Sequence, residues 1–268
     1  MKFVVVNSCP STIRCFRSAF VEVSKALPRH IGLECFQGSL ADYVHSSHCP
    51  ENQNTAVVSP ANSLCFMGGG FDRGIAELLG ERGSGYRAVE AAIQNHVLSR
   101  HHGFVPPQAS SVVDLQEALG GGHASGSKIT HLVLSPTMAV PERISYTTVF
   151  YCMWNTLLAM DGPFDTVVLP AIGAGYGGVP AAVAAATISG ALGLFYMRMG
   201  SPLNRGAAVL LFLRKDYRAL GIPADIARIE SVVAHKEEAI SGAKNHGPAE
   251  HEGPLEWREL SRILDSLG

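Results

Sequence analysis

The sequence predicts an α/β domain in which a largely buried central sheet is flanked by helices. Short apolar runs alternate with helix-like segments along most of the chain. Several of these runs are apolar at every position, as strands covered on both faces are. Two glycine-rich turns each follow such a run and lead into a helix. The first is Ser59-Pro60-Ala61-Asn62-Ser63-Leu64-Cys65-Phe66-Met67-Gly68-Gly69-Gly70-Phe71-Asp72, and the second is Pro170-Ala171-Ile172-Gly173-Ala174-Gly175-Tyr176-Gly177-Gly178-Val179-Pro180.

Taken in order, Lys2–Asn7 reads as a strand, and Ser11 can cap a helix over 12–27 that Pro28 ends. Gly32–Gln37 is a second strand, and Thr55–Ser59 is a buried one that feeds the first glycine turn. Residues 71–79 have helical character and Gly80 can stop them. A longer helix fits 86–100, where Val89, Ala92, Ile93, His96 and Val97 recur at helical spacing. A short strand over 110–113, a glycine loop over 120–126 and a strand over 129–134 follow. Then come a helix over 147–160, the strand Thr166–Leu169, the second glycine turn and an alanine-rich helix over 181–199. The apolar run 207–213 reads as the last strand. One domain over 1–240 is expected, with its core at about 33–213. Residues 241–254, rich in Gly, His, Pro and Glu, read as a linker. Beyond it, Leu260, Ile263, Leu264 and Leu267 share one helical face near Trp257. That face suits a helix docked on its own domain, with a protein partner as the alternative.

Composition narrows the function classes. The 268 residues are 47% apolar and 16% charged, enough for a full core and too apolar for a disordered chain. A formal net charge of -2 provides no global positive field, so nucleic acid is not indicated as a partner. The cysteines Cys9, Cys15, Cys35, Cys49, Cys65 and Cys152 form no C-x-x-C pair and read as buried free thiols of a reducing compartment. The histidines lack zinc spacing, and His101-His102 reads as a solvated helix end. Met1-Lys2-Phe3 runs straight into a strand, without the pattern of a signal peptide, and no apolar stretch is long enough to span a bilayer. A chain of the cytoplasm or nucleus, without a membrane partner, is the expectation.

The glycine turns carry the chemistry. A helix start offers unpaired N–H groups and a partial positive charge, and glycine lets main chain approach a phosphate. Two such turns facing each other would make a cleft suited to a diphosphate. The second turn taken alone fits a tight strand-to-helix connection equally well. Its Gly173, Gly175 and Gly178 also spell G-x-G-x-x-G, but the run 207–213 ends without the acidic residue a dinucleotide site needs. In the first turn Asn62 and Asp72 flank a glycine triplet. Singly each could be a turn residue or a helix cap. Together they offer an amide for a ribose hydroxyl and a carboxylate for a water. Cys65 has no neighbouring histidine in sequence and reads as a small apolar residue. Tyr176 could shield a ligand or cover its own loop.

These residues resemble those of a macrodomain, the ADP-ribose-binding fold. Ser59-Pro60-Ala61-Asn62 takes the place of the family's N-A-A-N segment, Gly68, Gly69 and Gly70 that of its glycine triplet, and Asp72 that of its acid. Residues 171–180 resemble the second loop, and 131–138 with Val140-Pro141 resemble a strand and turn of a microbial and fungal subgroup. The resemblance spans about 33–213 and implies a three-layer α/β/α fold with a central mixed sheet, followed here by a C-terminal helical extension. It also implies that ADP-ribose or a derivative is bound by Ser39, Leu40, Ser59, Ala61, Gly68, Gly69, Gly70, Gly173, Ala174, Gly175, Tyr176, Gly177 and Gly178. In that reading Asn62 positions the distal ribose, Asp72 aligns or activates a water, and neither a cofactor nor a metal is required. The chain departs from the family at Ser39, where an Asp usually holds adenine, and at Ser59, the first Asn of N-A-A-N. It departs also at Ala76, often His, and at Gly173-Ala174, usually Ser-Thr, with Tyr176 one place before the usual aromatic position. The implied function is hydrolysis: removal of ADP-ribose from a macromolecule, or of phosphate from ADP-ribose 1''-phosphate. A non-catalytic reader of ADP-ribose, and a related pocket for another nucleotide or small metabolite, are the alternatives.

Overall fold

The computed structural model describes the chain except residues 52, 81–84, 121–127, 161, 163, 234–252 and 265–268, together with the side chain of 233. The strands β1 (Lys2–Asn7), β2 (Gly32–Gln37), β3 (Thr55–Ser59), β4 (Ser111–Asp114), β5 (His131–Leu134) and β6 (Thr166–Leu169) form one mixed sheet. Their order is β2-β1-β6-β3-β5-β4, and every pair is parallel except β4 with β5. Alternate residues of each central strand feed opposite layers, which is why these strands are apolar throughout. Phe3, Val5, Ala56, Val58, Val167 and Leu169 meet α1 (Pro10–Ser24), α6 (Tyr146–Ala159), α7 (Ala181–Tyr196) and α8 (Pro202–Phe212). Val4, Val6, Val57 and Val168 meet α2 (Leu40–His45), α3 (Gly70–Gly80), α4 (Gly85–His101) and α5 (Leu115–Leu119). The three-layer α/β/α arrangement with a mixed sheet is therefore present.

Local chemistry sets the helix boundaries. Helix α1 opens at Pro10 rather than after Ser11: proline has no N–H to leave unpaired and its fixed φ suits the first turn. Ser39 and Asp42 cap α2 reciprocally, a helix the periodicity of so short a segment does not show. The run 207–213 is helical and not a strand. Ser201 accepts the Asn204 N–H, Pro202 opens the helix, and Ala207, Ala208, Leu211 and Phe212 are buried at helical spacing. A short apolar run cannot distinguish strand from buried helix by periodicity, and here the cap decides.

After a 3₁₀ turn (Tyr217–Leu220) and α9 (Pro223–Val233), the chain returns through Leu255, whose N–H donates to the Phe212 carbonyl at 2.9 Å. Helix α10 (Trp257–Leu264) buries Leu260, Ile263 and Leu264 in the α1/α7/α8 layer. Trp257 lies over Gly193, where any side chain would strike the indole. Arg258 donates two hydrogen bonds to Glu22, both 2.7 Å. The helix thus uses its apolar face within its own chain. Residues 241–252 of the expected linker, 121–126 of the expected glycine loop, and Leu267 lie outside the described residues. Leu260→Ala is expected to destabilise the domain by about 2–4 kcal/mol, read as a lower urea midpoint at unchanged slope. A midpoint equal to wild type would mean that α10 contributes nothing to the core.

Candidate functional site

Strands β3 and β6 are parallel neighbours, with Thr55 opposite Thr166 and Val57 opposite Val168. The loops that follow them, 60–69 and 170–180, therefore leave the same edge of the sheet side by side. In α/β sheets the edge at the carboxyl ends of the strands is where ligands bind. The loops also meet: a Cβ built on Gly69 would stand 3.7 Å from the Tyr176 hydroxyl. A third loop, 135–145, ties the two together. Met138 forms a parallel bridge with Asn62 and accepts the Ser63 N–H at 3.0 Å, Thr137 N–H donates to the Ala61 carbonyl at 3.2 Å, and Ile144 N–H donates to the Gly177 carbonyl at 3.0 Å.

The first loop is held from beneath by α4. Glu90, 6% exposed, accepts the Met67 N–H at 2.6 Å, and Gln94 donates to the Leu64 carbonyl at 3.3 Å. Ala61, Cys65 and Met67 are buried, which fixes the backbone below the glycine triplet. Burial, with Asp72 nearby, pushes the Cys65 thiol up to about 12, so it stays a protonated, apolar residue. Asn62 closes the loop on itself. Its Nδ2 donates to the Phe66 carbonyl at 3.0 Å, and its Oδ1 accepts the N–H groups of Leu64 and Phe66 at 3.1 and 3.3 Å. Asn62 is thus placed as the residue that shapes the turn.

Asp72 lies in the first turn of α3, and Ser59 stands at the end of β3. The fully buried Ser59 hydroxyl donates to Asp72 Oδ1 at 2.6 Å. Asp72 keeps some surface as a residue, but protein packs closely round its carboxyl group. That burial raises its pKa from 3.8 to about 6, against the opposing pull of the Ser59 hydrogen bond. Ser59 therefore anchors the carboxylate, a pairing across 13 positions that the loop pattern in the sequence does not reveal. Ala76, where the family often has His, is buried in the core.

The second loop is tightly wound. Ala174, Gly178 and Val179 N–H groups donate within it, to Ala171, Gly175 and Gly173. Gly173 (φ +81°) sits in the left-handed region, and a Cβ there would come within 2.6 Å of Val149 Cγ2, so only glycine fits. The N–H groups of Gly175, Tyr176 and Gly177 have no acceptor among the described residues, and neither do those of Gly68, Gly69 and Gly70 opposite. A Cβ on Gly68, Gly70 or Gly175 would meet no atom within 4 Å. Two adjoining loops thus carry main-chain donors without an acceptor among the described residues, groups of the kind that can bind an anion. Tyr176, 75% exposed, projects from this edge.

Ser39 and Leu40 lie at the same carboxyl edge of the sheet, and Leu40 shares a core cluster with Cys65 and Met67 of the first loop. They follow β2, which lies two strands from β6. The Ser39 hydroxyl is engaged in its cap, donating to Asp42 Oδ2 at 2.7 Å and accepting the Asp42 N–H at 3.0 Å. Hydrogen bonds from the Ser39 N–H and hydroxyl hold the Asp42 carboxyl below its usual range. Leu40 buries its side chain in the core. Of the cysteines, Cys49, Cys65 and Cys152 are buried as expected, Cys15 and Cys35 are half-buried, and Cys9 departs furthest. It is exposed at the start of α1, and hydrogen bonding, chiefly with Ser11, lowers its thiol to about 6. No described helix is long and apolar enough to cross a membrane.

An uncharacterized protein of Aeropyrum pernix is 30% identical over 185 residues, covering 65% of this chain and 87% of that protein. A model of the macro-like domain matches residues 37–220, from the end of β2 through both glycine loops to the 3₁₀ turn. The dinucleotide alternative finds no support: G-x-G-x-x-G at 173–178 is followed by helices, and no later strand occurs among the described residues. With the matched segment spanning more than half of the sequence and the site's two loops inside it, the chain belongs to the macro-like domain family.

Proposed function

We propose that the edge formed by loops 60–69 and 170–180 binds ADP-ribose or a derivative and hydrolyses it. The observation that carries this reading is the set of N–H groups at Gly68, Gly69, Gly70, Gly175, Tyr176 and Gly177, on two loops that meet, without an acceptor among the described residues, with the Ser59-held Asp72 carboxyl at the start of α3. The N–H groups take the diphosphate, and the open space at Gly68, Gly70 and Gly175 admits its oxygens. The distal ribose then lies toward α3. A carboxylate that titrates near 6 is ionised at neutral pH yet basic enough to take a proton from water. As the water oxygen attacks C1'', or the phosphorus of a 1''-phosphate, Asp72 accepts the water proton and returns it to the departing group. Asn62 keeps the shape of the loop rather than gripping the sugar itself.

A second reading, a non-catalytic reader of ADP-ribose, is favoured by the engagement of both Asn62 amide atoms and by the burial of Ala76. Calorimetric titration with ADP-ribose, AMP and NAD tests binding, and release of ADP-ribose from a modified protein tests turnover. ADP-ribose is expected to bind and to raise the melting temperature, by about 2.7 kcal/mol of stabilisation at a ligand excess of about 100 times Kd. Binding of AMP or NAD without ADP-ribose would replace the ligand. ADP-ribose binding without turnover would leave the reader.

A further inference from the structure

The three loops that meet at the site, 60–69, 135–145 and 170–180, contain one cation between them, Arg143, and one anion, Glu142. Arg143 is exposed, and its guanidinium has neither a hydrogen-bond acceptor nor an ion-pair partner among the described residues. It is nevertheless held in place. Its head lies against the second glycine loop at Gly178, where a Cβ would collide with Nη1 and stand 3.4 Å from Cζ. Gly178 has φ +70°, so glycine serves both the turn and the seat of the arginine. The next residue is pinned as well. Ile144 N–H donates to the Gly177 carbonyl at 3.0 Å, and its side chain fills the space beside Gly173 and Gly177. The arginine backbone is thus fixed to the loop while its charged end remains unsatisfied.

A guanidinium beside unpaired N–H groups and the start of α7 has neighbours of like partial charge. Such an arrangement becomes favourable when an anion joins them. The planar fork of arginine matches phosphate oxygens, and its stem is already laid along the loop, so little freedom is lost on contact. We infer that Arg143 is a phosphate-contacting residue of this site, and that it makes the site select phosphate-bearing ligands over the corresponding neutral nucleosides. The inference rests on the proposed ligand site but not on turnover. The phosphate is either one of the diphosphate or a terminal 1''-phosphate, two sources that share one chemistry.

The test is titration calorimetry of wild type, Arg143→Ala and Arg143→Lys with ADP-ribose, ADP-ribose 1''-phosphate, inorganic pyrophosphate and adenosine, each at low and high salt. Arg143→Ala is expected to weaken ADP-ribose about 10- to 100-fold, the range of a charge-assisted contact. Its affinity should depend less on salt, and Arg143→Lys should recover part of the loss. A loss confined to ADP-ribose 1''-phosphate assigns the contact to the terminal phosphate. A loss shared with ADP-ribose and pyrophosphate assigns it to the diphosphate. Equal affinity and equal salt dependence in a folded Arg143→Ala protein would overturn the inference. If wild type binds pyrophosphate through Arg143 but not ADP-ribose, the inference stands and the proposed ligand falls. If it binds none of the phosphates, both fall. Melting curves of the exposed-site variants guard against loss of fold.

Discussion

Gly175→Glu is expected to abolish ADP-ribose binding, by more than about 100-fold, in a protein that still folds. The position separates the two effects. Gly175 is outside the left-handed region, and a Cβ there would meet no atom within 4 Å. A side chain can therefore be added without disturbing the domain. The N–H groups of Gly175, Tyr176 and Gly177 have no acceptor among the described residues, so a glutamate enters the space proposed for the diphosphate and places a carboxylate near those donors. It would then compete with the phosphate oxygens and repel them. Gly175→Ala serves as the steric control and should melt at or slightly above wild type, since alanine reduces the freedom of the unfolded chain. Gly173→Ala is the opposite control. Its φ of +81° and the 2.6 Å approach to Val149 Cγ2 make it destabilising irrespective of ligand. Circular-dichroism melts and calorimetry read the pair of effects. A folded Gly175→Glu protein with wild-type affinity would remove the second loop from the site.

The fold was legible where burial acts on every residue of a segment. β1, β3 and β6 sit between two helical layers, and their unbroken apolar runs follow from that position. The run 207–213 has the same composition, yet Ser201 and Pro202, several residues upstream, make it a helix. The two glycine loops were legible because main-chain exposure requires glycine in sequence. What holds the loops was not. Glu90 reaches the Met67 N–H from 23 positions away, and Arg143 lies against Gly178 from 35 away, so neither has a local signature. Asn62 shows the converse limit. Its place in the motif is plain, but a side chain that can bond either its own turn or a sugar does not announce which.

Asp72→Asn is expected to stabilise the protein at neutral pH while removing the proposed hydrolytic activity. In the folded chain the carboxyl titrates at about 6, and in the unfolded chain at about 3.8. Between those values the folded state holds a proton that the unfolded state has released. Stability therefore falls as pH rises through this window, and the full penalty persists above about 6. Asparagine carries no charge to bury. The variant should gain nothing below about pH 4 and the most above pH 6, roughly 1–2 kcal/mol once residual solvent contact and the loss of a charged acceptor for the Ser59 hydroxyl are discounted. The gain appears as a higher melting temperature at pH 7.5 that converges with wild type in acid. Hydrolysis should move the other way. An amide cannot take the water proton, and loss of a general base costs about 10²- to 10⁴-fold. In wild type the rate should rise as pH increases through about 6, as the base ionises. Ser59→Ala should shift that rise to higher pH, because the hydroxyl it removes favours the ionised form. Undiminished turnover in folded Asp72→Asn would exclude this carboxylate from the chemistry, and a melting difference that is the same at pH 4 and 7.5 would show that it is not buried as a charge. Residues selected for a function commonly oppose stability in this way. On the proposed reading, the burial that makes ionised Asp72 costly to the fold is the same property that would make it basic enough to activate water.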